Sequence, residues 1–355
     1  MANAMLSDST RPVTGGVDTH KDAHVAAVID HLGAEIATRS FPTTTTGYVA
    51  LADWLCSHGR VDRVGVEGTG SWGAGLTRFL LDRGIDVVEI NRPNRQQRRR
   101  TGKSDTLDAI AAARATLARL DAGTPKTGNG PVESIRLLRV TRHSAVTTRT
   151  KTMNQIRAVL DTAPSQARDH YNHLTPARLI KAITRTRPDP ERIAEPAVAA
   201  TTTLRTLGRR WLFLTEQINE LDQQLDSLVA VTSPKLIAVH CVGTHTAATL
   251  LVAAGDNPNR LTNEAAFAAL CGVNPLPATT GRTTTRHRLN RAGNRDANNA
   301  LWRIVISRMA HDPRTRTYVE RRTTEGLSKR EIIRCLKRYV ARELYPIIVA
   351  DLTAT

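Results

Sequence analysis

Between residues 15 and 41 the sequence turns back on itself twice. Apolar and polar residues alternate, with β-branched enrichment, through Gly16-Val17-Asp18, Val25-Ala26-Ala27-Val28-Ile29 and Ile36-Ala37-Thr38; His31-Leu32-Gly33 separates the last two. A period of two bounded by turn residues predicts three short strands in hairpin order. Helix and strand then alternate. Tyr48, Leu51, Ala52 and Leu55 recur at helical spacing over 46–58, which stops at Gly59. Residues 61–66 read as a strand, 73–83 as a helix ending at Gly84, 85–90 as a strand and 104–120 as an alanine-rich helix. The order βββαβαβα predicts an α/β layer built on one mixed sheet.

From roughly 131 to 230 no strand pattern appears. Residues 134–160 and 203–229 read as long helices. The second carries Leu204, Leu207, Trp211, Leu214, Ile218, Leu221, Leu225 and Leu228 at intervals of three or four, the spacing of a coiled-coil seam or of a simple packed helix pair. Between them, residues 164–200 are rich in Pro, Arg and Asp and read as irregular. After Ser233-Pro234 the composition changes. Residues 235–255 predict an apolar helix–turn–helix, 274–300 are rich in Thr, Arg and Asn, and 300–345 are helical and basic on one face.

The chain has 355 residues, enough for two domains, and a hydrophobic fraction of 40% that excludes a mainly disordered protein. Lys and Arg total 50 against 33 acids, a net charge of +17. From Leu236 onward there are 18 basic residues and 9 acidic ones, so more than half of the excess lies in the last third. Such a balance points to a polyanion, by default DNA or RNA. Aromatics are only 4%, which argues against base-stacking platforms as the main mode of binding. Cys56, Cys241, Cys271 and Cys335 form no C-x-x-C pair, which argues against zinc or a disulfide framework and fits a reducing cytoplasm. No run of 18 apolar residues would cross a membrane, and residues 1–14 lack the apolar core of a signal peptide.

Four acids stand out in the first third. Asp18 follows Gly16-Val17 on an internal strand, where a carboxylate without a partner is costly. Glu67 follows Val64-Gly65-Val66 on what reads as a neighbouring strand. Asp105 and Asp108 are i and i+3 on one helix face. Several carboxylates with no soft ligands suit a pair of Mg²⁺ ions, which could activate an attacking oxygen and stabilise the leaving oxygen of a phosphodiester. Asp105 and Asp108 could equally decorate a helix N-terminus, where acids are favoured. His20 and His24 flank Asp18, but an i, i+4 spacing does not bring residues of one strand together.

A second fingerprint competes. Gly68-Thr69-Gly70-Ser71-Trp72-Gly73 is a literal G-x-G-x-x-G between strand and helix, with Glu89 at the end of the next strand, the pattern of a dinucleotide site. Its context is wrong: three hairpin strands precede it, no third βα unit follows, and the next residues are Arg92, Arg95, Arg98, Arg99, Arg100 and Lys103, which suit a phosphate backbone. In the last third, Val239-His240-Cys241-Val242-Gly243-Thr244 resembles a helix-hairpin-helix with Cys241 where the first glycine usually stands, or else an αα-turn in a core. Pro277-Ala278-Thr279-Thr280-Gly281-Arg282, followed by Arg286, Arg288, Arg291 and Arg295, offers a hydroxyl on a glycine-hinged loop among guanidiniums. It is either a nucleophile on phosphorus or a phosphate-binding surface loop. Lys337 and Arg338 belong to the basic helical array of 314–342, most simply a nucleic-acid-facing surface.

Together these segments resemble the insertion-sequence-110-type transposases, also called DEDD transposases. The carrying motifs are Val17-Asp18-Thr19-His20-Lys21, Val66-Glu67-Gly68-Thr69-Gly70, Lys103-Ser104-Asp105-Thr106-Leu107-Asp108-Ala109, Val242-Gly243 through Gly255-Asp256, Leu270-Cys271-Gly272-Val273-Asn274-Pro275, Arg286-His287-Arg288-Leu289-Asn290-Arg291 and Arg334-Cys335-Leu336-Lys337-Arg338-Tyr339. The resemblance runs from Gly16 to about Tyr345. It implies an α/β RNase H-like (RuvC-like) catalytic domain over 1–125, a helical coiled-coil middle over 126–232 and a mainly α C-terminal transposase domain over 233–355. It implies that Asp18, Glu67, Asp105 and Asp108 bind Mg²⁺, that a structured bridge RNA pairs with donor and target DNA, and that a homo-oligomer, dimer or tetramer, assembles the site. The location implied is the cytoplasm of a bacterium, on the nucleoid. The family uses a serine before glycine as covalent nucleophile; here that position is Thr280, which keeps the hydroxyl and adds a methyl beside it. A RuvC-type junction nuclease using water and a non-catalytic nucleic-acid binder are the remaining readings.

Overall fold

The computed structural model describes residues 11–90, 104–119, 122–277 and 287–354. Its first unit is a six-stranded sheet: β1 (Pro12–Thr19), β2 (Ala23–Ile29), β3 (Glu35–Pro42), β4 (Arg60–Glu67), β5 (Val87–Ile90) and the two-residue β6 (Ala122–Gly123). The spatial order is β3-β2-β1-β4-β5-β6. The expected hairpins form, β1 antiparallel to β2 and β2 antiparallel to β3. β4 joins β1 in parallel and β5 joins β4 in parallel. β1 is central, and all its residues after Pro12 are buried.

Helices cover both faces. α1 (Thr45–Ser57) and α2 (Ala74–Asp82) place Leu51, Leu55, Leu76 and Leu80 against Val13, Val17, Val64 and Val66. The Thr44 side chain caps α1 by accepting from Gly47 N–H. On the other face α3 (Asp105–Leu117) sets Ala109 and Ile110 on Ala27, and Ala112 on Val88 and Ile90. Small residues decide how close α3 comes. A Cβ at Gly16 would lie 2.2 Å from Ala113 N and 2.3 Å from Ala109 O; one at Gly65 would lie 1.9 Å from Thr116 Oγ1. The helix backbone rests directly on β1 and β4 because neither strand has a side chain there.

Two long helices follow, α4 (Pro131–Thr162) and α7 (Pro196–Thr232). They run antiparallel: Arg142 pairs with Asp222, Ala145 packs on Leu214 and Ile218, and Ile156 and Leu160 pack on Leu204. Along the eight-residue apolar row, Leu204, Leu214, Ile218, Leu221 and Leu225 are buried, while Leu207, Trp211 and Leu228 are half-buried. The segment expected to be irregular, 164–200, holds two helices, α5 (Ser165–Tyr171) and α6 (Pro176–Arg185). Two of its prolines start helices instead of breaking them: Pro176 and Pro196 sit in the first turn, where a missing N–H costs nothing, while 186–195, with Pro188, is irregular apart from one short 3-10 turn. Leu179, Ile180 and Ile183 of α6 then bury against Leu204 and the far end of α4.

The last third is helical: α8 (Pro234–Ile237), α9 (Thr244–Ala254), α10 (Glu264–Leu270), α11 (Arg295–His311), α12 (Pro313–Thr324) and α13 (Lys329–Ala354), with a small hairpin of β7 (Pro275–Pro277) and β8 (His287–Leu289). One core unites Leu250, Phe267, Leu301, Ile304, Val340 and Leu344 with Ile135 and Leu225 from the near ends of the long pair. The buried carboxylate of Asp351 accepts from Ser233 Oγ at 2.6 Å and Leu236 N at 3.0 Å, fixing α8 to α13. Asp256, from one of the motifs, accepts from Val132 N at 2.7 Å and so holds the start of α4. No helix among the described residues is long and apolar enough to cross a membrane.

Candidate metal centre

β1 and β4 are parallel, with Val17 opposite Val66, so the next residues, Asp18 and Glu67, emerge at adjacent carboxyl ends. Their exposures are 5% and 6%. Thr19 Oγ1 donates to Glu67 O at 2.9 Å and ties the two strand ends together. α3 delivers the other pair. Asp105 is its first residue and stays half-exposed, whereas Asp108, one turn on, is buried. The close seating at Gly16 lays this turn against the end of β1.

His20 completes the cluster. Its Nε2 lies 3.1 Å from Asp18 Oδ2 and 3.4 Å from Asp105 Oδ1. One ligand atom from each of Asp18, His20 and Asp105 lies within 4.8 Å of the others. Burial pushes the Asp18 carboxyl above the usual carboxylate range; His20 opposes this, and the charges of Asp108 and Asp105 add to the rise. Crowded carboxylates of this kind repel until a cation joins them. Oxygen donors with one imidazole and no thiolate suit Mg²⁺ or Mn²⁺, so the residues present fit a hard divalent ion.

The i, i+4 spacing does keep His20 and His24 apart, but the two are not on one strand: the chain leaves β1 at Thr19 and reverses before Ala23. His20 therefore stands at the strand end beside Asp18. His24 goes elsewhere: it is wholly buried on β2 opposite Thr19 and stacks on Tyr48 with ring centroids 5.7 Å apart. Asp105 and Asp108 do occupy a helix N-terminus, yet Asp108 is buried and is not a solvated cap. Glu67, beside Asp18 in the sheet, and Asp108, one turn after Asp105, are buried nearby but outside the tight group of three.

The dinucleotide fingerprint is used locally. Gly68–Gly73 folds as a tight turn, with Ser71 N and Gly73 N donating to Gly68 O, and Thr69 Oγ1 donates to Glu89 Oε1 at 2.9 Å. The acid that would meet a ribose instead braces the loop itself.

The hydroxyl loop springs from the β7–β8 hairpin. Thr280, Arg282 and Arg286 lie outside the described residues, as do Arg98, Arg99, Arg100 and Lys103. The base of the hairpin is well defined. A Cβ at Gly293 would fall 2.2 Å from Gly272 N, so the two strands' roots touch backbone to backbone. Asn290 Nδ2 donates to Asn274 Oδ1 at 2.7 Å, and Asn298 Nδ2 donates to Cys271 O at 2.8 Å and Gly272 O at 3.1 Å. Arg288, Arg291 and Arg295 are exposed. The basic array of 314–342 is not one solvated face, however: Arg338 is ion-paired with Glu264, and Lys337 is buried, its Nζ donating to Asn298 Oδ1 at 2.8 Å. The helix-hairpin-helix resemblance has a backbone counterpart: Cys241, where glycine was expected, adopts φ +66°.

Comparison with known proteins is consistent with this architecture. A family model described as "Transposase" (DEDD_Tnp_IS110) matches residues 15–164, and one described as "Transposase IS116/IS110/IS902 family" matches 234–320. The chain is 31% identical over 125 residues to the "Insertion element IS110 uncharacterized 43.6 kDa protein" of Streptomyces coelicolor. That stretch covers 35% of this chain and 31% of the relative. The first match spans every acid of the cluster; the second spans the β7–β8 hairpin.

Proposed function

This chain belongs to the IS110-type transposase family, and from that membership we propose that it is a DNA transposase or recombinase of an insertion sequence. The observation that carries the proposal is the meeting of Asp18 and His20 with Asp105, from segments nearly ninety residues apart, at the end of the sheet, where the charge of Asp108 also acts on Asp18. The strand order, with three antiparallel strands followed by two parallel ones, supports an RNase H-like, RuvC-like reading of residues 1–125. The antiparallel pair supports reading 126–232 as a coiled-coil spacer, and the family match over 234–320 supports reading 233–355 as the transposase domain.

Asp18, Glu67, Asp105 and Asp108 would hold Mg²⁺, with His20 as a further neighbour. A bound divalent pair supplies Lewis-acid stabilisation of developing charge on the phosphodiester oxygens. The protein's own part is to position. Asp18 and Glu67 are fixed by the sheet, Asp108 by the seating of α3, and His20 orients the Asp18 carboxylate. Thr280 Oγ would attack a DNA phosphorus, forming a phosphothreonine link as the bond to one deoxyribose oxygen breaks; that oxygen leaves with a proton. The link conserves the phosphodiester energy for rejoining. Donor and target DNA, a structured bridge RNA and a homo-oligomer that brings hairpin and acids together complete the reading.

The test is to incubate the protein with guide RNA, donor DNA and Mg²⁺ and look for a covalent protein–DNA adduct. Thr280→Val should abolish it. An adduct that persists in Thr280→Val removes Thr280 from the chemistry; free 5′-phosphates with no adduct in the unaltered protein would reassign the site to a water-using nuclease.

A further inference from the structure

A cavity of about 870 Å³ opens beside the foot of the β7–β8 hairpin, between it and α12 and α13. Six cations line it: Arg288, Arg322, Arg334, Lys337, Arg338 and Arg342. Some are already neutralised. Arg322 pairs with Glu325, and Arg338 and Arg342 share Glu264. The one acid on the wall, Glu331, is engaged by the hydroxyl and backbone N–H of Ser328.

Lys337 is different. It is 8% exposed, and its ammonium bonds the neutral side-chain oxygen of Asn298. It has no ion pair to a carboxylate among the described residues, and its neighbour Arg334 bears the same charge. A buried cation facing other cations is costly unless an anion completes it. Burial, and then the charge of Arg334, push its pKa down. Arg334 and Arg288 are exposed at the lip; the charge of Arg334 is felt by Glu331, whose carboxylate is already engaged by Ser328.

The cavity also has an aromatic wall. Tyr339 is 48% exposed, braced edge-on by Tyr318 with ring centroids 5.7 Å apart, while the Arg342 guanidinium lies 5.8 Å from its ring centroid. Cations beside an aromatic ring are the composition of a single-strand site, in which phosphates meet the charges and a base lies on the ring. The volume falls in the range that holds a small ligand, roughly 300–1,000 Å³, the scale of a nucleotide unit rather than of a duplex face.

We infer that this cavity binds an unpaired segment of the DNA strand, with a backbone phosphate held by Lys337, Arg334 and Arg288 and a base on Tyr339. DNA is chosen over RNA because the hairpin it adjoins carries the hydroxyl proposed to attack a DNA phosphate; the inference rests on that reading. Lys337 also bonds Asn298, which holds Cys271 O and Gly272 O at the root of the hairpin. A phosphate in the cavity is thus tied through two side chains to the backbone at the root of the β7–β8 hairpin.

The experiment measures fluorescence anisotropy of a labelled oligothymidine with the full-length protein, without divalent metal, over a range of salt concentrations. A duplex and an RNA of matching length serve as competitors. For single-stranded DNA, Arg288→Gln and Arg334→Gln should each lower the slope of log affinity against log salt by about 0.7. Tyr339→Leu should weaken binding roughly tenfold or more. Lys337→Met should weaken it as well; if that protein misfolds by circular dichroism, the two exposed arginines decide alone. Unchanged slope and affinity in the arginine double variant would overturn the site, and losses confined to RNA or duplex would overturn its assignment to unpaired DNA. Asp18→Asn separates the two proposals: it should retain single-strand binding while losing strand cleavage, and cleavage that survives it would overturn the proposed function without touching the cavity.

Discussion

The two ends of this molecule organise charge in opposite ways. At the sheet, acids are brought together by backbone: Asp18 and Glu67 by strand register, Asp108 by a helix resting on Gly16. Repulsion among them is built in, and small residues hold it there. At the hairpin, cations gather around a polar network of side chains, in which Asn274, Asn290, Asn298 and Lys337 brace two short strands of three residues each. A site held by strand register resists small changes in its side chains but not changes in its backbone spacing. A site held by amide hydrogen bonds should degrade gradually.

The largest effect expected is at the first site. Asp18→Asn keeps shape and removes charge, so strand cleavage in Mg²⁺ should fall by about 10³-fold or more, the several kcal/mol that cation-assisted phosphoryl transfer contributes. The metal-free protein should be stabilised by the same change, because burial and the neighbouring Asp105 and Asp108 disfavour the Asp18 carboxylate. A rise in Tm of roughly 2–4 °C is expected. Loss of both activity and stability would show that the acids are structural.

Next comes spacing. Gly16→Ala places a methyl 2.2–2.3 Å from α3 backbone, where only movement of the helix can relieve it. Destabilisation of about 3 kcal/mol is expected from overpacking, measured by chemical denaturation, together with loss of cleavage as Asp108 moves off. Gly70→Ala, with nothing within 4 Å of its Cβ, is the control and should be nearly silent. Equal effects at both positions would refute the claim that helix seating builds the site.

Acid should also separate the two ends. His24 is buried with neither ring nitrogen hydrogen-bonded, and burial lowers its pKa from 6.5 to about 4. The folded state keeps it neutral while the unfolded chain takes up a proton, so stability present above pH 6.5 is lost as pH falls toward 4. The loss approaches about 3 kcal/mol by pH 4. Denaturation curves at pH 7 and pH 4 should show that difference narrowing in a His24→Phe protein. At the other end Asn298→Ala leaves Cys271 O, Gly272 O and the Lys337 ammonium short of a partner. A cost of about 2 kcal/mol is expected, with the fold retained and single-strand binding weakened.

The contrast also explains what could be foreseen. The strand order was legible because hairpin strands advertise themselves by alternation and turn residues, and the acid positions followed from it. The seating of α3 was not, because Gly16 and Gly65 look like ordinary strand glycines until the helix is above them. The place of His20 beside Asp18 is hidden because spacing rules assume one continuous element, and the chain reverses just past it. The helices α5 and α6 are hidden by composition: proline, arginine and aspartate suggest loops, yet Pro164 and Pro176 stand at helix starts. Lys337 looked like one more cation in a basic array, and nothing in a helical charge pattern says which cation faces inward.

Cys241 tests how far a motif can be trusted when one residue departs from it. The sequence set a cysteine where the hairpin pattern wants glycine, and the backbone there is left-handed all the same, at φ +66°. A side chain in that region costs on the order of 1–2 kcal/mol, partly offset because glycine loses more entropy on folding. The turn is enforced by its neighbours: Val242 N donates to Val239 O, and Gly243 N donates to the Thr246 hydroxyl at the start of α9. Cys241→Gly should therefore stabilise the protein by about 0.5–1 kcal/mol, a rise in Tm of roughly 1–4 °C, and leave cleavage unchanged. If the substitution destabilises instead, the cysteine side chain contributes packing at the root of the C-terminal region that outweighs the strain, and the missing glycine is an adaptation of this turn and not a tolerated flaw.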